Sequence, residues 1–301
     1  ANGFVGRALV RHFIQQPDVT IIGTDIHETM STLLPAGAPI TYESGNLCDN
    51  AFVQKLTETY RPSVIIHLAA ILSQLHDPAT YASIMQSNVQ ATYHICTAAN
   101  TLKARLIFPS TALVYGRQPG PFTENMSTDP TDFYALSKFI SEELIRYHEN
   151  RYNVWTVIFR IGILYGPGQA STMFIPSLVA ALLEGRQFPM TPGEQTRDFV
   201  FIEDFVRAVD IATKSPNARG IFNIGTGHAP TLRDVALTAE RIIGNPGLVR
   251  LNALPYRALE SMEYCVDAQR AASILQWRPR VTLQEGIQAI VDHERSLVIN
   301  A

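Results

Sequence analysis

Along the first half of the chain, short β-branched runs alternate with stretches whose apolar residues recur every three to four positions. This is the pattern of a parallel sheet wrapped by helices. The strand-like runs are residues 20–25, 40–42, 63–69, 105–110 and 155–161. Between them, residues 4–15 set Val5, Leu9 and Phe13 on one helical face. Residues 134–148 do the same with Leu136, Ile140 and Leu144, a face that Glu143 interrupts. Helices joining parallel strands form right-handed crossovers, so the predicted fold class is α/β, a doubly wound parallel sheet of the Rossmann type.

Beyond Gly166 the texture changes. Pro167, Gly168, Pro176, Pro189, Pro192 and Gly193 punctuate short helical stretches. One more strand is predicted at 221–224, and a closing helix at 281–293 with Leu283, Ile287 and Ile290 on one face. The division expected is a sheet domain over 1–165, which also receives 199–226, and a smaller mixed region over 166–198 and 227–301 that takes the substrate.

The 301 residues suit one large domain or two closely packed ones. Apolar residues make up 46% against 17% charged, enough for a sizeable core. A net charge of −3 offers no broad footprint for nucleic acid or an anionic membrane. The longest apolar run, around 64–72, is too short to span a bilayer and His67 interrupts it. Cys48, Cys96 and Cys265 lack C-x-x-C spacing and read as reduced thiols. His12, His67, His76, His94, His148, His228 and His293 show no metal-ligand spacing, so no metal is expected. The chain starts inside a motif, and the native start is expected further upstream.

That motif is Ala1-Asn2-Gly3-Phe4-Val5-Gly6-Arg7, which runs straight into a helix. Gly3 and Gly6 stand where backbone N–H groups and the positive helix end can face a pyrophosphate. Nineteen residues after Gly6, a strand delivers Asp25 at its C-terminal end, where a carboxylate can accept both hydrogen bonds of an adenosine ribose diol and repel a 2′-phosphate. That favours NAD over NADP. The alternative is a helix-packing glycine pair and a turn-capping aspartate. Tyr134 and Lys138, one helical turn apart, share a face, so the ammonium, helped by a positively charged nicotinamide ring, can lower the phenol's pKa and let Tyr134 take a proton from an alcohol as hydride leaves its carbon. Thr111, at the C-terminal edge of the 105–110 strand, is placed to hold the reacting oxygen.

Asn2-Gly3-Phe4-Val5-Gly6, His67-Leu68-Ala69-Ala70, Ser110-Thr111 through Val114-Tyr115-Gly116, Tyr134-Ala135-Leu136-Ser137-Lys138, Tyr165-Gly166-Pro167-Gly168 and Arg197-Asp198-Phe199 together resemble the extended short-chain dehydrogenase/reductases. More narrowly, they resemble the NAD-dependent epimerase/dehydratase family acting on sugar nucleotides. The resemblance spans essentially the whole chain, although the family's first glycine and first strand would precede Ala1. It implies that Tyr134 is the catalytic acid/base, Lys138 its pKa modulator and a cofactor-ribose ligand, and Thr111 the substrate-hydroxyl partner. For the cofactor it implies Gly3, Phe4, Val5 and Gly6 at the pyrophosphate and Asp25 and Ile26 at the adenosine ribose. Asn46 and Leu47 are implied at the adenine, Leu68, Ala69 and Ala70 alongside the dinucleotide, Asn88 as a brace, and Ile161 near the nicotinamide. It further implies a cytoplasmic homodimer, pairing through the helices that follow Asp77 and Phe133.

Sugar 4,6-dehydratases of the family follow their threonine with Asp-Glu, whereas this chain has Ala112 and Leu113. Neither transfers protons, so elimination is disfavoured. For the substrate, the resemblance implies Arg197 and Arg257 at a nucleotide diphosphate and Ser73 at the sugar. Against a diphosphate stand Ile163, where the family often has asparagine, and the altered segment Arg257-Ala258-Leu259-Glu260. An ion pair of Arg197 with Asp198 or Asp204 is the structural alternative. The leading expectation is an NAD-dependent sugar-nucleotide epimerase inverting C4 through a transient keto-sugar. The alternative is an NAD-dependent dehydrogenase of a sugar or sugar acid that releases NADH, and a third reading is a non-catalytic dinucleotide sensor.

Overall fold

The computed structural model describes residues 1–31, 34, 37–73, 77–257 and 260–299; His76, and Ala258 and Leu259 of the Arg257 segment, lie outside them. Strands β1 (Ile21–Asp25) and β2 (Ile40–Ser44) pair in parallel, Asp25 opposite Ser44. β3 (Val64–Ile66), β4 (Arg105–Thr111) and β5 (Thr156–Ile161) follow, then the short β6 (Ile163–Tyr165), β7 (Phe188–Pro189) and β8 (Phe199–Phe201), and last β9 (Gly220–Ile224) and β10 (Val249–Arg250). The central sheet has the order β3-β4-β5-β9, with β6-β8 and β7-β10 as separate pairs, and every one of these pairings is parallel.

The helices are α1 (Phe4–Phe13), α2 (Asn50–Tyr60), α3 (Pro78–Ile84), α4 (Ala91–Leu102), α5 (Phe133–Tyr152), α6 (Phe174–Leu183), α7 (Ile202–Lys214), α8 (Leu232–Ile243), α9 (Gln269–Ile274) and α10 (Leu283–Ile299). A π-helical turn, Met85–Gln90, joins α3 to α4. Among the described residues, no helix is long and apolar enough to cross a membrane.

β5 is buried along its whole length and divides two cores. Val157, Phe159 and Ile161 pack with Phe205 of α7 and Phe222 of β9 on one side, and Ile158 with Leu106, Phe108 and Ile145 on the other. The sequence pattern places β1, β4, β5, β9 and both long terminal helices within a few residues of where they lie. The predicted 63–69 strand is shorter because its ladder ends once the His67 amide bonds the Ile107 carbonyl. β3 therefore stops before Pro109, and a residue without an N–H is tolerated in an otherwise central strand.

The face predicted for α5 is corrected. Its buried residues are Ala135, Ser137, Lys138, Ser141, Glu142, Ile145 and His148, whereas Leu136, Ile140 and Leu144 are only half-buried and Glu143 is exposed. The side turned inward carries polar groups that satisfy one another, so hydrophobic periodicity points to the wrong stripe. Asp132 caps this helix by accepting the Ala135 amide (2.7 Å).

The segment from Met262 to Asp267 is stitched by main-chain bonds to Thr196 and Asp198 and to Phe122. Thr196 N donates to Met262 O (2.8 Å), Asp198 N to Tyr264 O (3.0 Å), Phe122 N to Cys265 O (2.8 Å) and Asp267 N to Phe122 O (2.8 Å).

Candidate active site

At the start of α1, Gly3 is the N-cap residue and no side chain caps the helix, so the first-turn N–H groups are left for a ligand. A Cβ at Gly3 meets no atom within 4 Å, whereas one at Gly6 would stand 2.4 Å from the Ala1 carbonyl oxygen. One glycine leaves room above the turn, and the other lets the helix approach the chain beneath it. Phe4 and Val5 are half-buried in the same turn. Asp25, at the end of β1, accepts the Asn2 amide (2.9 Å) on Oδ2 and the His27 amide (3.4 Å) on Oδ1. Oδ2 also accepts from the Ala1 nitrogen (3.1 Å), so the spare lone-pair capacity lies on Oδ1, and Ile26 beside it is exposed. An open helix start, a Cβ-free approach and a strand-end carboxylate fit a dinucleotide.

Asn46 turns its side chain back onto the Cys48 amide (2.9 Å), while the Leu47 carbonyl bonds the His94 ring (2.9 Å). Leu68 is half-buried, and Ala69 and Ala70 are exposed after β3. Asn88, buried in the π-turn, braces this segment. Its Oδ1 accepts the Ile71 amide (2.7 Å), and its Nδ2 donates to the Ile71 carbonyl (3.1 Å) and to Ser137 Oγ (2.9 Å). Ser137 in turn donates to the Tyr134 carbonyl (2.7 Å). The strip bearing Ser73, itself half-buried, is thereby tied to the turn of α5 that bears Tyr134.

Thr111 ends β4 directly opposite Ile161 at the end of β5, and its Oγ1 accepts the Leu113 amide (3.2 Å). Tyr134 is the second residue of α5, half-buried, and burial pushes its phenol up to about 12, with the Asp132 charge adding to the rise. Lys138 is buried, its ammonium 3.8 Å from the centre of the Phe108 ring. Burial brings this amine down to about 7, against the opposing pull of Glu142. In the protein alone the ammonium lies over an aromatic face, and desolvation dominates the tyrosine.

Behind these residues runs a buried network that the sequence reading did not single out. The Glu142 carboxylate holds Arg160 through Nη2 (2.7 Å) and Nε (3.0 Å) and also receives the Ser110 hydroxyl. The guanidinium stacks on Tyr115 at 4.8 Å, and the Tyr115 hydroxyl donates to Asn223 Oδ1 (2.7 Å). Tyr264 was also missed. It is buried, its hydroxyl has no well-formed hydrogen bond, and burial raises its pKa while Thr111 and Arg197 oppose the rise and Tyr134 adds to it. His67, read as one of several scattered histidines, is held down to about 3 by burial and then by the Lys138 charge. His67, Ser110 and Tyr115 stand in motifs quoted above, but only three-dimensional proximity joins them to Glu142, Arg160, Asn223 and Tyr264, which belong to none of those motifs.

Arg197 finds neither Asp198 nor Asp204. Its ion-pair partner is Glu260, and its Nη1 donates to the carbonyls of Thr196 (2.7 Å) and Ser261 (2.8 Å). Asp198 is taken up by Thr226, through its amide (2.8 Å) and hydroxyl (2.6 Å). Arg257 is exposed.

The sequence model of the NAD dependent epimerase/dehydratase family matches residues 1–225. Among curated proteins, the chain is similar to the dTDP-glucose 4,6-dehydratase of Salmonella typhimurium, 26% identical over 324 residues that cover 96% of this chain and 90% of that one. Among solved structures, it is similar to the UDP-glucuronic acid 4-epimerase of Bacillus cereus, with a TM-score of 0.89, 26% identity and coverage of 99% and 98% of the two chains. The UDP-glucose 4-epimerase of Thermotoga maritima shares the fold with a TM-score of 0.90 at 23% identity, over 99% and 97% of the chains.

Proposed function

The chain belongs to the NAD-dependent epimerase/dehydratase family, and from that premise we propose that it inverts one secondary-alcohol centre of a sugar nucleotide, at C4, by reversible oxidation. When bound, NAD would be held by the glycine turn and Asp25 and would supply the hydride acceptor and a cationic ring. Thr111 Oγ1 holds the substrate hydroxyl, and Tyr134 accepts its proton as the carbon loses hydride, leaving a ketone. Lys138 keeps positive charge near the phenolate, aided by Glu142. Return of hydride to the opposite face of the ketone, and of the proton from Tyr134 to its oxygen, completes the inversion. Asn88 and Ser137 keep the strip after β3 and the Tyr134 turn in fixed register.

The observation carrying this reading is the pairing of Thr111 and Tyr134 chemistry with the two residues that follow Thr111. Ala112 is buried and Leu113 half-buried, and neither exchanges protons. Redox at one carbon is thus supported over loss of water, although dehydratases stand among the similar proteins. A second reading, a dehydrogenase of a sugar or sugar acid that releases NADH, is favoured by the Arg197 fork being filled by Glu260 and by the apolar Ile163.

Incubation with UDP-, GDP- and dTDP-sugars and with free sugar acids, following NADH absorbance and product stereochemistry together, separates the two. Inversion without net NADH supports epimerisation, and stoichiometric NADH supports the dehydrogenase. Tyr134→Phe should lower turnover at least roughly 10²-fold; near-normal turnover removes the mechanism.

A further inference from the structure

The outer end of the site contains a carboxylate where an anionic substrate would bind. Arg197 has its fork turned to three protein acceptors, the Thr196 and Ser261 carbonyls and the Glu260 carboxylate. The side chains of Arg197 and Glu260 are each 16% exposed, so the pair is largely shielded yet open to water along one side. The Arg257 carbonyl accepts the Glu260 amide (3.2 Å), and the Arg257 side chain is exposed. Its charge still reaches Arg197 and weakens that group's hold on its proton, after burial and against Glu260. Arg197 and Glu260 thus form the subsite, with the Arg257 charge in their field. The Arg197 guanidinium lies 5.9 Å from the ring of Tyr264, whose phenol is in the field of Tyr134.

We propose that Glu260 is the specificity-determining residue of this subsite: it occupies the Arg197 fork in place of a substrate phosphate and gives way only to a ligand bringing more than one negative charge. The inference rests on the sugar-nucleotide reading and adds to it the means by which the site selects its anion.

A lone carboxylate on a substrate gains little by displacing a tethered one of equal charge, because Glu260 is already in place and forfeits no translational freedom in binding. A diphosphate carries negative charge on both phosphates. One can take the Arg197 fork and the other can face Arg257, while Glu260 moves toward the water it already borders. The gain is charge-assisted and bidentate at guanidinium groups. Small uncharged sugars and single carboxylates leave the latch closed.

The test is calorimetric titration of the full chain, supplemented with NAD, with uridine, UMP and UDP. In Glu260→Gln, UDP should bind roughly tenfold tighter or more, UMP should gain less, and uridine should be unchanged, because only a competitor for anions yields gains ranked by ligand charge. Glu260→Asp keeps the charge on a shorter arm and should fall between wild type and Glu260→Gln. Thermal melts of each variant verify folding. If Glu260→Gln leaves UDP affinity unchanged or weakens it, while wild type still binds UDP, the latch is overturned and the sugar-nucleotide reading survives. If neither protein binds UDP, both fall together.

Discussion

Two arginine–carboxylate pairs flank the candidate site, one behind β4 and one at its outer edge, and they do opposite things with the same chemistry. Glu142 and Arg160 come from the middle of α5 and from β5, are 0% and 4% exposed, and are joined by more than one hydrogen bond with Ser110 as a third member. Glu260 and Arg197 come from irregular segments and border water. The inner pair has nowhere to go, since opening it strands a charge in the core. The outer pair can exchange its carboxylate for a ligand's. A salt bridge is therefore structural or selective according to what surrounds it rather than which residues compose it.

The strongest way to break the comparison is Glu142→Ala. It leaves Arg160 buried without its partner and should cost about 3–5 kcal/mol in denaturant unfolding; a loss like that of an exposed pair would show the inner network to be dispensable. A sharper probe is pH. Lys138 has a folded pKa of about 7 against an ordinary 10.5. Between those values the unfolded chain holds a proton that the folded one lacks, so stability rises with pH across that window. Without added coenzyme the rise should exceed about 1 kcal/mol, and Lys138→Met should abolish it. Glu142→Gln removes the charge that supports the ammonium and should start the rise at lower pH, whereas Glu260→Gln should not move it. The smallest effect belongs to the edge: Arg257→Ala should change unfolding stability by no more than about 0.5 kcal/mol, its consequences being confined to anion binding.

What could be read from the sequence follows the same division. The glycine turn, β1 with Asp25, β4 with Thr111 and α5 with Tyr134 and Lys138 are local spacings on regular elements, and each lies where its spacing predicts. The inward face of α5 was misread because its buried residues include Ser137, Lys138, Ser141 and Glu142, and apolar periodicity is blind to a polar network that satisfies itself. The Arg197–Glu260 contact joins residues 63 apart in the chain, and nothing local favours Glu260 over the nearer Asp198. Tyr264 belongs to no spacing pattern. Its importance comes from an unanswered hydroxyl beside groups that arrive from β4 and α5.

The seam from Met262 to Asp267 has a consequence for how such a protein diversifies. Anchored through its backbone on either side, it pins Tyr264 whatever side chains precede it. Positions 257 to 260 can accumulate replacements over generations, retuning which anions are admitted, while the phenol downstream stays put. Descendants of one ancestor can in this way trade cargo without rebuilding their chemistry.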